Sequence, residues 1–295
     1  MDPQLHRPDT PLRWQTTRFD LDLSRPQIMG IVNLTPDSFS DGGQCFDTTA
    51  GLRHAEQLLR DGADILDVGA ESTRPGAEVV PLAQELARLV PFLKEAVRWQ
   101  VPISVDTYKP EVMQTVLDGG VDIINDVWAL RQPGAEQVVA AHRACGVCLM
   151  HMHRDPQTMQ TEPMTGDVLR AVEKFLRERL DTLRSMGVSS SRLVVDPGIG
   201  FGKTVAQNFQ LLALQADLLG LGCPVLAGWS RKSALGAALV HDGQVPEPAK
   251  RQVASVAAAL LALERGASVV RVHDVKETAE AIQIWLAMHQ HAEAR

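Results

Sequence analysis

The stretch MGIVNLTPDSFSDGG, residues 29–43, changes character part-way along. Its first four residues extend the apolar run that begins at Ile28, as expected for a parallel strand that is buried on both faces. Asn33 ends the apolar run, and a polar loop with a single aromatic side chain, Phe39, follows before two glycines. The stretch therefore predicts a core strand that leads into a polar loop at its carboxyl end.

Seven further runs of the same kind predict that this strand belongs to a barrel. Each run is short and apolar at nearly consecutive positions, and helical patterns separate the runs. Strict alternation of eight strands with helices predicts the fold class α/β, as a single-domain (β/α)8 TIM barrel. A doubly wound open sheet is the alternative, although such sheets usually contain fewer strands. The eight runs cover residues 27–33, 63–70, 102–107, 122–127, 146–151, 192–198, 224–230 and 268–274.

The helical patterns complete a one-domain organisation. We predict a barrel over residues 27–291, preceded by an N-terminal extension over residues 1–26 that forms a tail and a short hairpin across the barrel bottom. The pattern at 249–267 is apolar over most of its circumference, which exceeds what the outer ring of a monomeric barrel buries and predicts a homodimer. The six patterns cover residues 49–62, 82–99, 109–120, 167–187, 249–267 and 277–290.

The composition excludes several classes of function. The 295 residues have a formal net charge of −7, which argues against non-specific binding to nucleic acid or to an anionic membrane. No run approaches the roughly 18 apolar residues of a membrane-spanning helix, and the N-terminus lacks the apolar segment of a signal peptide. Four cysteines in so long a chain do not make a disulfide framework. We therefore expect a cytoplasmic protein with reduced thiols.

Polar residues end every one of the eight predicted strands. A single Asp or Asn after a strand is most often a turn former or a helix cap. Eight such endings at one rim instead indicate an active site, because the chemistry of these barrels takes place at the carboxyl ends of the strands. The residues are Asn33, Asp67, Asp106, Asn125 with Asp126, His151, Asp196, Ser230, and Arg271 with His273.

Basic residues are concentrated near the same strand ends. Arg271 and His273 are two positions apart, so both side chains point to one face of their strand. On an acidic protein this local positive charge predicts an anionic ligand, preferably a phosphate. Ordinary surface charge explains Arg231 and Lys203 equally well when each is considered alone. The further basic residues of this group are Arg74, Lys203, Arg231 and Lys232.

Three short motifs do not support the functions that they first suggest. GIGFGKT, residues 198–204, fails the Walker spacing because Pro197 occupies the position of a required glycine, and it also fails the dinucleotide-binding spacing. CGVC, residues 145–148, runs into a buried strand, which favours inert core thiols over a redox pair. HMH, residues 151–153, could place two imidazoles on a metal, but no third and fourth ligand of a zinc site is evident.

Seven motifs, taken in order, closely resemble those of the dihydropteroate synthase family of folate biosynthesis, over about residues 27–285. The resemblance implies a homodimeric TIM-barrel transferase that is the target of sulfonamides. Such an enzyme joins 6-hydroxymethyl-7,8-dihydropterin diphosphate to 4-aminobenzoate and releases diphosphate, with the assistance of Mg²⁺. The motifs are NLTPDSFSDGG, DVGAESTRPGA, SVDTYK, INDV, DPGIGFGK, GWSRKS and RVHDV.

The resemblance assigns one group of residues to the pterin. Asp106, Asn125 and Asp196 would accept hydrogen bonds from its aminopyrimidinone edge, and a carboxylate can accept two parallel bonds from such an edge. Lys232 would reach the pterin ring and help to close the pocket. These four residues and Arg271 are the expected catalytic set.

A second group would bind the diphosphate and the metal ion. Arg271, His273 and Thr73 match the phosphate-contacting positions of the family. Asn33 matches the Mg²⁺ contact, and a single neutral oxygen ligand suits an ion that binds mainly through substrate phosphates and water.

A third group would bind 4-aminobenzoate. Residues 35–39 resemble the first mobile loop of the family and residues 72–75, which include Arg74, resemble the second. Phe39, Pro75 and Phe201 would form apolar walls around the flat ring, and Ser233, near a helix start, would meet the carboxylate.

The implied reaction forms a carbon–nitrogen bond at the exocyclic CH₂ of the pterin. We expect diphosphate to leave first and the arylamine to attack the resulting cation, so that no strong general base is needed. The alternative is a pterin-binding methyltransferase of the methyltetrahydrofolate–corrinoid type, which shares the Asp and Asn pocket but has no need of a diphosphate site. An amidohydrolase-like metal barrel would need more His ligands, and a non-catalytic relative would not need every catalytic position filled.

Overall fold

The computed structural model describes residues 12–35, 48–72, 78–155, 158–159 and 161–293. Eight parallel strands close into one barrel, which confirms the predicted (β/α)8 architecture. Each strand is hydrogen-bonded to the next one along the chain, and the last is hydrogen-bonded to the first. Both faces of these strands are covered, so nearly every strand residue is buried, and this explains the continuous apolar runs. The strands are β3 (Gln27–Asn33), β4 (Ile65–Gly69), β5 (Ile103–Asp106), β6 (Ile123–Asp126), β7 (Gly146–Met150), β8 (Leu193–Asp196), β9 (Val225–Ala227) and β10 (Ala267–Val272).

Helices surround the barrel and connect successive strands. The six predicted patterns do not include three short helices, Ala135–Ala141, Val205–Ala213 and Ser233–Ala238, although the last begins at Ser233, where the sequence predicts a helix start. None of the helices within the described ranges is long and apolar enough to cross a membrane. The helices are α1 (Thr48–Arg60), α2 (Leu82–Ala96), α3 (Pro110–Asp118), α4 (Ala135–Ala141), α5 (Val168–Ser185), α6 (Val205–Ala213), α7 (Ser233–Ala238), α8 (Gln252–Glu264) and α9 (Val275–Glu293).

An antiparallel hairpin lies across the amino end of the barrel. Its strands are β1 (Arg13–Gln15) and β2 (Asp20–Asp22), and Trp14, the central residue of β1, is fully buried. Trp14 donates from Nε1 to the carbonyl of Arg192 at 3.0 Å, just before β8. Its ring packs on the lowest layer of inward-facing side chains, so the barrel is closed at this end and a ligand must enter from the other. That layer consists of Met29, Ile65, Ile123, Cys148, Val194, Leu226 and Val269.

Candidate active site

One guanidinium connects three strands at the carboxyl end of the barrel. Arg271 in β10 donates from Nε to Asp67 Oδ2 at 2.6 Å and from Nη2 to Asp106 Oδ2 at 2.9 Å. Asn125 in β6 donates to the same oxygen of Asp67 at 3.2 Å. Side chains of four strands therefore form one connected polar network.

Strand register places Asp106 and Asn125 in one inward-facing row with Asn33 and Gly69. Asn33 is paired with Gly69, Gly69 with Asp106, and Asp106 with Asn125. Asp67 precedes Gly69 by two residues, so its side chain lies on the same inward face one level lower. Gly69 has no side chain, and a Cβ at this position would lie 3.5 Å from the Cβ of Asp106.

Burial and neighbouring charges set the protonation of the network. Burial raises the pKa of Asp106 to about 7, and the nearby charges of Asp67 and Asp126 act in the same direction while Arg271 opposes them. Burial acts to lower the pKa of Arg271, but the carboxylates of Asp67 and Asp106 outweigh it and raise that pKa. The guanidinium therefore stays charged, and Asp106 changes charge near neutral pH.

Asp196, Lys232 and Phe201 border the network on the side of β8. Asp196 is the last residue of β8, and its Oδ1 accepts a 2.6 Å hydrogen bond from the Gly198 amide. Burial raises the pKa of Asp196, and the positive charges of Lys232, Lys203 and Arg271 act against that rise. The Lys232 ammonium lies 4.2 Å from the centroid of the Phe201 ring, in a cation–π contact.

His273 lies beyond Arg271, on the rim of the barrel. The Ser230 hydroxyl accepts a hydrogen bond from the His273 amide at 3.1 Å and lies 3.0 Å from the ring atom Nδ1. Two contacts from one hydroxyl fix the orientation of the imidazole. The imidazole is thus held one residue past the end of β10, two positions after Arg271.

Comparisons with known proteins identify this arrangement. The model of the pterin-binding enzyme family matches residues 29–273. Over 93% of its length the chain is 48% identical to the dihydropteroate synthase of Neisseria meningitidis serogroup C, of which it covers 97%. The chain belongs to the pterin-binding enzyme family, among the dihydropteroate synthases.

Two solved structures of dihydropteroate synthases have the same fold. The Xanthomonas albilineans enzyme, determined with 4-aminobenzoic acid, is similar with a TM-score of 0.87 and 47% identity over 95% of this chain and 99% of that one. The Burkholderia cenocepacia enzyme, determined in complex with 7,8-dihydropteroate, gives a TM-score of 0.86 and 45% identity over 97% and 99%. Near-complete coverage of both chains means that the similarity is not confined to the barrel core.

The structure brings together most of the residues that the sequence suggested for a dihydropteroate synthase site. Asp106, Asn125 and Arg271 share the network, and Asp196 and Lys232 are its electrostatic neighbours. Asn33 is half-buried in the same row. Ser233 is exposed as the first residue of α7. Phe39, Thr73, Arg74 and Pro75 lie outside the described residues.

An apolar wall continues from the network towards the rim. Phe201 is buried together with Met150 and Met152, and Tyr108 and Trp128 pack against the same cluster. Flat apolar surfaces beside hydrogen-bond acceptors suit the heterocyclic substrates of a dihydropteroate synthase.

Two of the basic residues, Arg231 and Lys203, are held by internal contacts. The expectation that they contribute to the positive charge around an anionic ligand is therefore wrong. Arg231 binds Asp274 twice, from Nη2 to Oδ1 at 2.6 Å and from Nε to Oδ2 at 3.2 Å. Lys203 is only 4% exposed and its ammonium is surrounded by backbone carbonyls. Neither is simple surface charge, because both are engaged in internal contacts.

The motifs set aside from the sequence remain unsupported as functional sites. Burial lowers the pKa of His151 to about 2, and Lys203 adds to this effect, so the imidazole is neutral, and its Nδ1 lies 2.9 Å from the Lys203 ammonium. Burial raises the pKa of both Cys145 and Cys148, as expected of inert core thiols. Within the described ranges, no group of three or more His, Cys, Asp or Glu side chains could hold a metal ion.

Sequence reasoning gave no role to Asp67 and underrated Ser230. Asp67 is fully buried yet orients both Arg271 and Asn125. One signal was available, namely a lone carboxylate inside the apolar run ILDVG at residues 65–69. Ser230 gave no signal beyond its place at a predicted strand end, because a serine after a strand is common in turns.

Proposed function

We propose that the protein is a dihydropteroate synthase, which condenses 6-hydroxymethyl-7,8-dihydropterin diphosphate with 4-aminobenzoate to give 7,8-dihydropteroate and diphosphate in folate synthesis. The observation that carries the proposal is the network in which Arg271 joins Asp67 and Asp106 beside Asn125. It places acceptors for a heterocycle and a cation for a phosphate within one barrel mouth. The identities with dihydropteroate synthases support the same conclusion.

The acceptors suit the donor-rich edge of the pterin. Asp196 is buried and Asp106 is largely buried, and the pKa values of both carboxyls are raised, so each lacks sufficient stabilisation of its charge in the free protein. A ligand that donates two parallel N–H groups would supply that stabilisation. Asn125 adds a neutral donor and acceptor beside them.

The cationic side suits the diphosphate. Arg271 remains charged and His273 is held two positions after it, so both can face an anion at the rim. As the carbon–oxygen bond to diphosphate breaks, these groups stabilise the negative charge of the leaving group. The carboxylates of Asp106 and Asp196 stabilise the cation that remains on the pterin, and the amine of 4-aminobenzoate then attacks its CH₂.

We propose Mg²⁺ as the metal ion of this reaction. Asn33 would hold it, since one half-buried amide in the row fits an ion that takes its other ligands from phosphates and water. Within the described residues no cage of acidic side chains competes with this arrangement. When bound, the ion would neutralise part of the charge on the diphosphate.

A direct assay tests the function. The purified protein is incubated with the pterin diphosphate, Mg²⁺ and labelled 4-aminobenzoate, and labelled dihydropteroate is the expected product. Asp106→Asn should abolish most of the product, whereas Asp181→Asn, at an exposed position on α5, should not change it. A folded protein that makes no dihydropteroate would refute the proposal, and corrinoid-dependent methyl transfer by that protein would favour the alternative.

We also propose that the protein is a homodimer of the cytoplasm. Val253 and Leu261 on α8, and Ile284 and Met288 on α9, are exposed apolar residues of two helices that pack against each other. A second copy would cover this apolar surface. Buried, unpaired thiols in the described part of the chain support a reducing compartment. Sedimentation at micromolar concentration should show a dimer, and Val253→Glu with Ile284→Glu should give a monomer; a monomeric wild type would contradict the proposal.

A further inference from the structure

The ammonium of Lys203 lies in a cage of hydrogen-bond acceptors. Its Nζ is 2.8 Å from the Gly198 carbonyl, 3.2 Å from the Phe201 carbonyl and 3.3 Å from the His151 carbonyl. The fourth contact is Nδ1 of His151 at 2.9 Å. In the described ranges, no carboxylate forms an ion pair with this lysine. The cage is therefore built from backbone oxygens and one imidazole rather than from a counter-ion.

The contacts suit a cation. An ammonium group has three N–H donors and no acceptor, so it can satisfy the three carbonyls and an accepting imidazole nitrogen. An uncharged amine has only two N–H donors and would satisfy the three carbonyls less completely. His151 can accept at Nδ1 because its imidazole is neutral, its pKa being lowered to about 2 by burial. Burial also lowers the pKa of Lys203, and the charge of Asp196 acts in the opposite direction.

The cage joins two segments of backbone that would otherwise repel each other. Gly198 has a φ of +69°, and a Cβ at this position would lie 1.8 Å from the His151 carbonyl oxygen. A Cβ on Gly202, with a φ of +71°, would lie 2.6 Å from the Cβ of His153. The loop of residues 197–203 thus lies directly against the segment that follows β7. Carbonyls from both sides converge on Lys203, whose charge offsets their mutual repulsion.

The loop held in this way positions residues of the site. At its start, the Gly198 amide fixes Asp196 by the 2.6 Å hydrogen bond. At its centre, Phe201 presents its ring to the Lys232 ammonium at 4.2 Å. Displacement of the loop would therefore move Asp196, Phe201 and Lys232 together, although Lys203 itself contacts none of these side chains in the bonds described above.

We propose that Lys203 is a positioning residue whose ammonium serves as a built-in cation for the loop of residues 197–203 and thereby sets Asp196 and Phe201 for the two substrates. This inference rests on the proposed synthase function. A compact ammonium suits the cage, whereas the planar guanidinium of arginine is larger and directs its donors in a fixed fork. Lys203→Arg should therefore not restore the wild-type arrangement.

Truncation with chemical rescue tests the role. Lys203→Ala removes the side chain beyond Cβ, and propylammonium corresponds to the missing atoms. We expect kcat/KM to fall by about tenfold to a hundredfold, with higher KM values for both substrates, because small displacements of positioned groups have effects of this size. Added propylammonium should recover part of the loss and raise the Tm of the variant. Tetramethylammonium at equal ionic strength should do neither.

Two controls make the outcome decisive. Lys174→Ala removes an equal charge from a 77% exposed side chain on α5 and should leave kcat, KM and Tm unchanged. Wild type with propylammonium reports any effect of the amine on the assay itself. Unchanged KM values in Lys203→Ala would overturn the proposal, as would a loss of activity that propylammonium does not reverse. If the wild type proves inactive, the function fails, but the shift in Tm with propylammonium still tests the cage.

Discussion

Substitution of Asp67 by Asn gives a sharp test of the polar network. Oδ2 of Asp67 accepts from Arg271 and Asn125, whereas Oδ1 has no hydrogen-bond partner in the described residues. The amide oxygen of Asn can occupy the place of Oδ2 and accept both bonds, and its NH₂ can occupy the place of Oδ1. Asp67→Asn therefore removes a charge with little change in shape.

The loss of this charge should lower the pKa of Asp106. Burial is the main reason that this pKa is about 7, but the charge of Asp67 also raises it and Arg271 lowers it. In the variant the repulsion between the two carboxylates disappears and Asp106 becomes the one anion hydrogen-bonded to Arg271 among the described residues, so both changes lower the pKa of Asp106. Two carboxylates bound to one guanidinium repel by about 3 kcal/mol at an effective dielectric constant of about 20, which corresponds to a fall in pKa of about two.

Ligand binding makes the shift measurable. In the proposed binding mode ionised Asp106 accepts hydrogen bonds from the pterin, so affinity should rise with pH through the pKa of Asp106 and then level off. Calorimetric titration with 6-hydroxymethylpterin from pH 4.5 to 8.5 should show wild type levelling above about pH 7 and Asp67→Asn levelling about two pH units lower. Asp181→Asn is the matched control. Identical midpoints for Asp67→Asn and wild type would refute the electrostatic coupling of the two carboxylates.

Three further predictions concern stability and the second substrate. The pKa of Asp106 in the folded protein, about 7, exceeds its usual value of 3.8, so between these pH values the folded protein retains a proton that the unfolded chain loses. In urea titrations the free energy of unfolding of wild type should therefore fall relative to that of Asp106→Asn as the pH rises from about 4 to about 7. A difference between the two free energies that stays constant with pH would contradict this. Trp14→Ala should lower the free energy of unfolding by about 3–5 kcal/mol while substrate KM values stay unchanged, because its ring fills the barrel floor far from the mouth; raised KM values would count against a purely structural plug. Phe39→Ala should raise the KM for 4-aminobenzoate with little change in binding of the pterin diphosphate, and an unaltered KM would reject its place in that pocket.

The strands could be predicted from the sequence because their signal is local. A parallel strand buried on both faces must be apolar at consecutive positions, and the predicted run 27–33 coincides with the observed strand Gln27–Asn33. Other runs, such as 224–230, extend beyond the observed Val225–Ala227, since the loop residues after a strand are also buried here. Burial alone therefore does not show where the hydrogen-bonded pairing of a strand with its neighbour ends.

The composition of the site could be predicted, but not its pairing. Parallel strands bring their carboxyl ends to one rim, so the convergence of Asp106, Asp196 and Arg271 follows from strand order alone. Which carboxylate each arginine binds depends on strand register and on loop paths across distant parts of the chain. Arg231 and Arg271 look alike in sequence, yet Arg231 is bound to Asp274 and only Arg271 joins the network.

The position of Arg271 explains how one side chain can serve both halves of the proposed reaction. A guanidinium has five N–H donors, and two of them are used, by Asp67 and by Asp106. The others can hold a phosphate without releasing either carboxylate. Arg271 thus connects the carboxylate that binds the pterin to the anion that leaves it. When diphosphate departs and positive charge forms on the pterin, the carboxylates that balanced the guanidinium are already next to the new cation, so little reorganisation is needed.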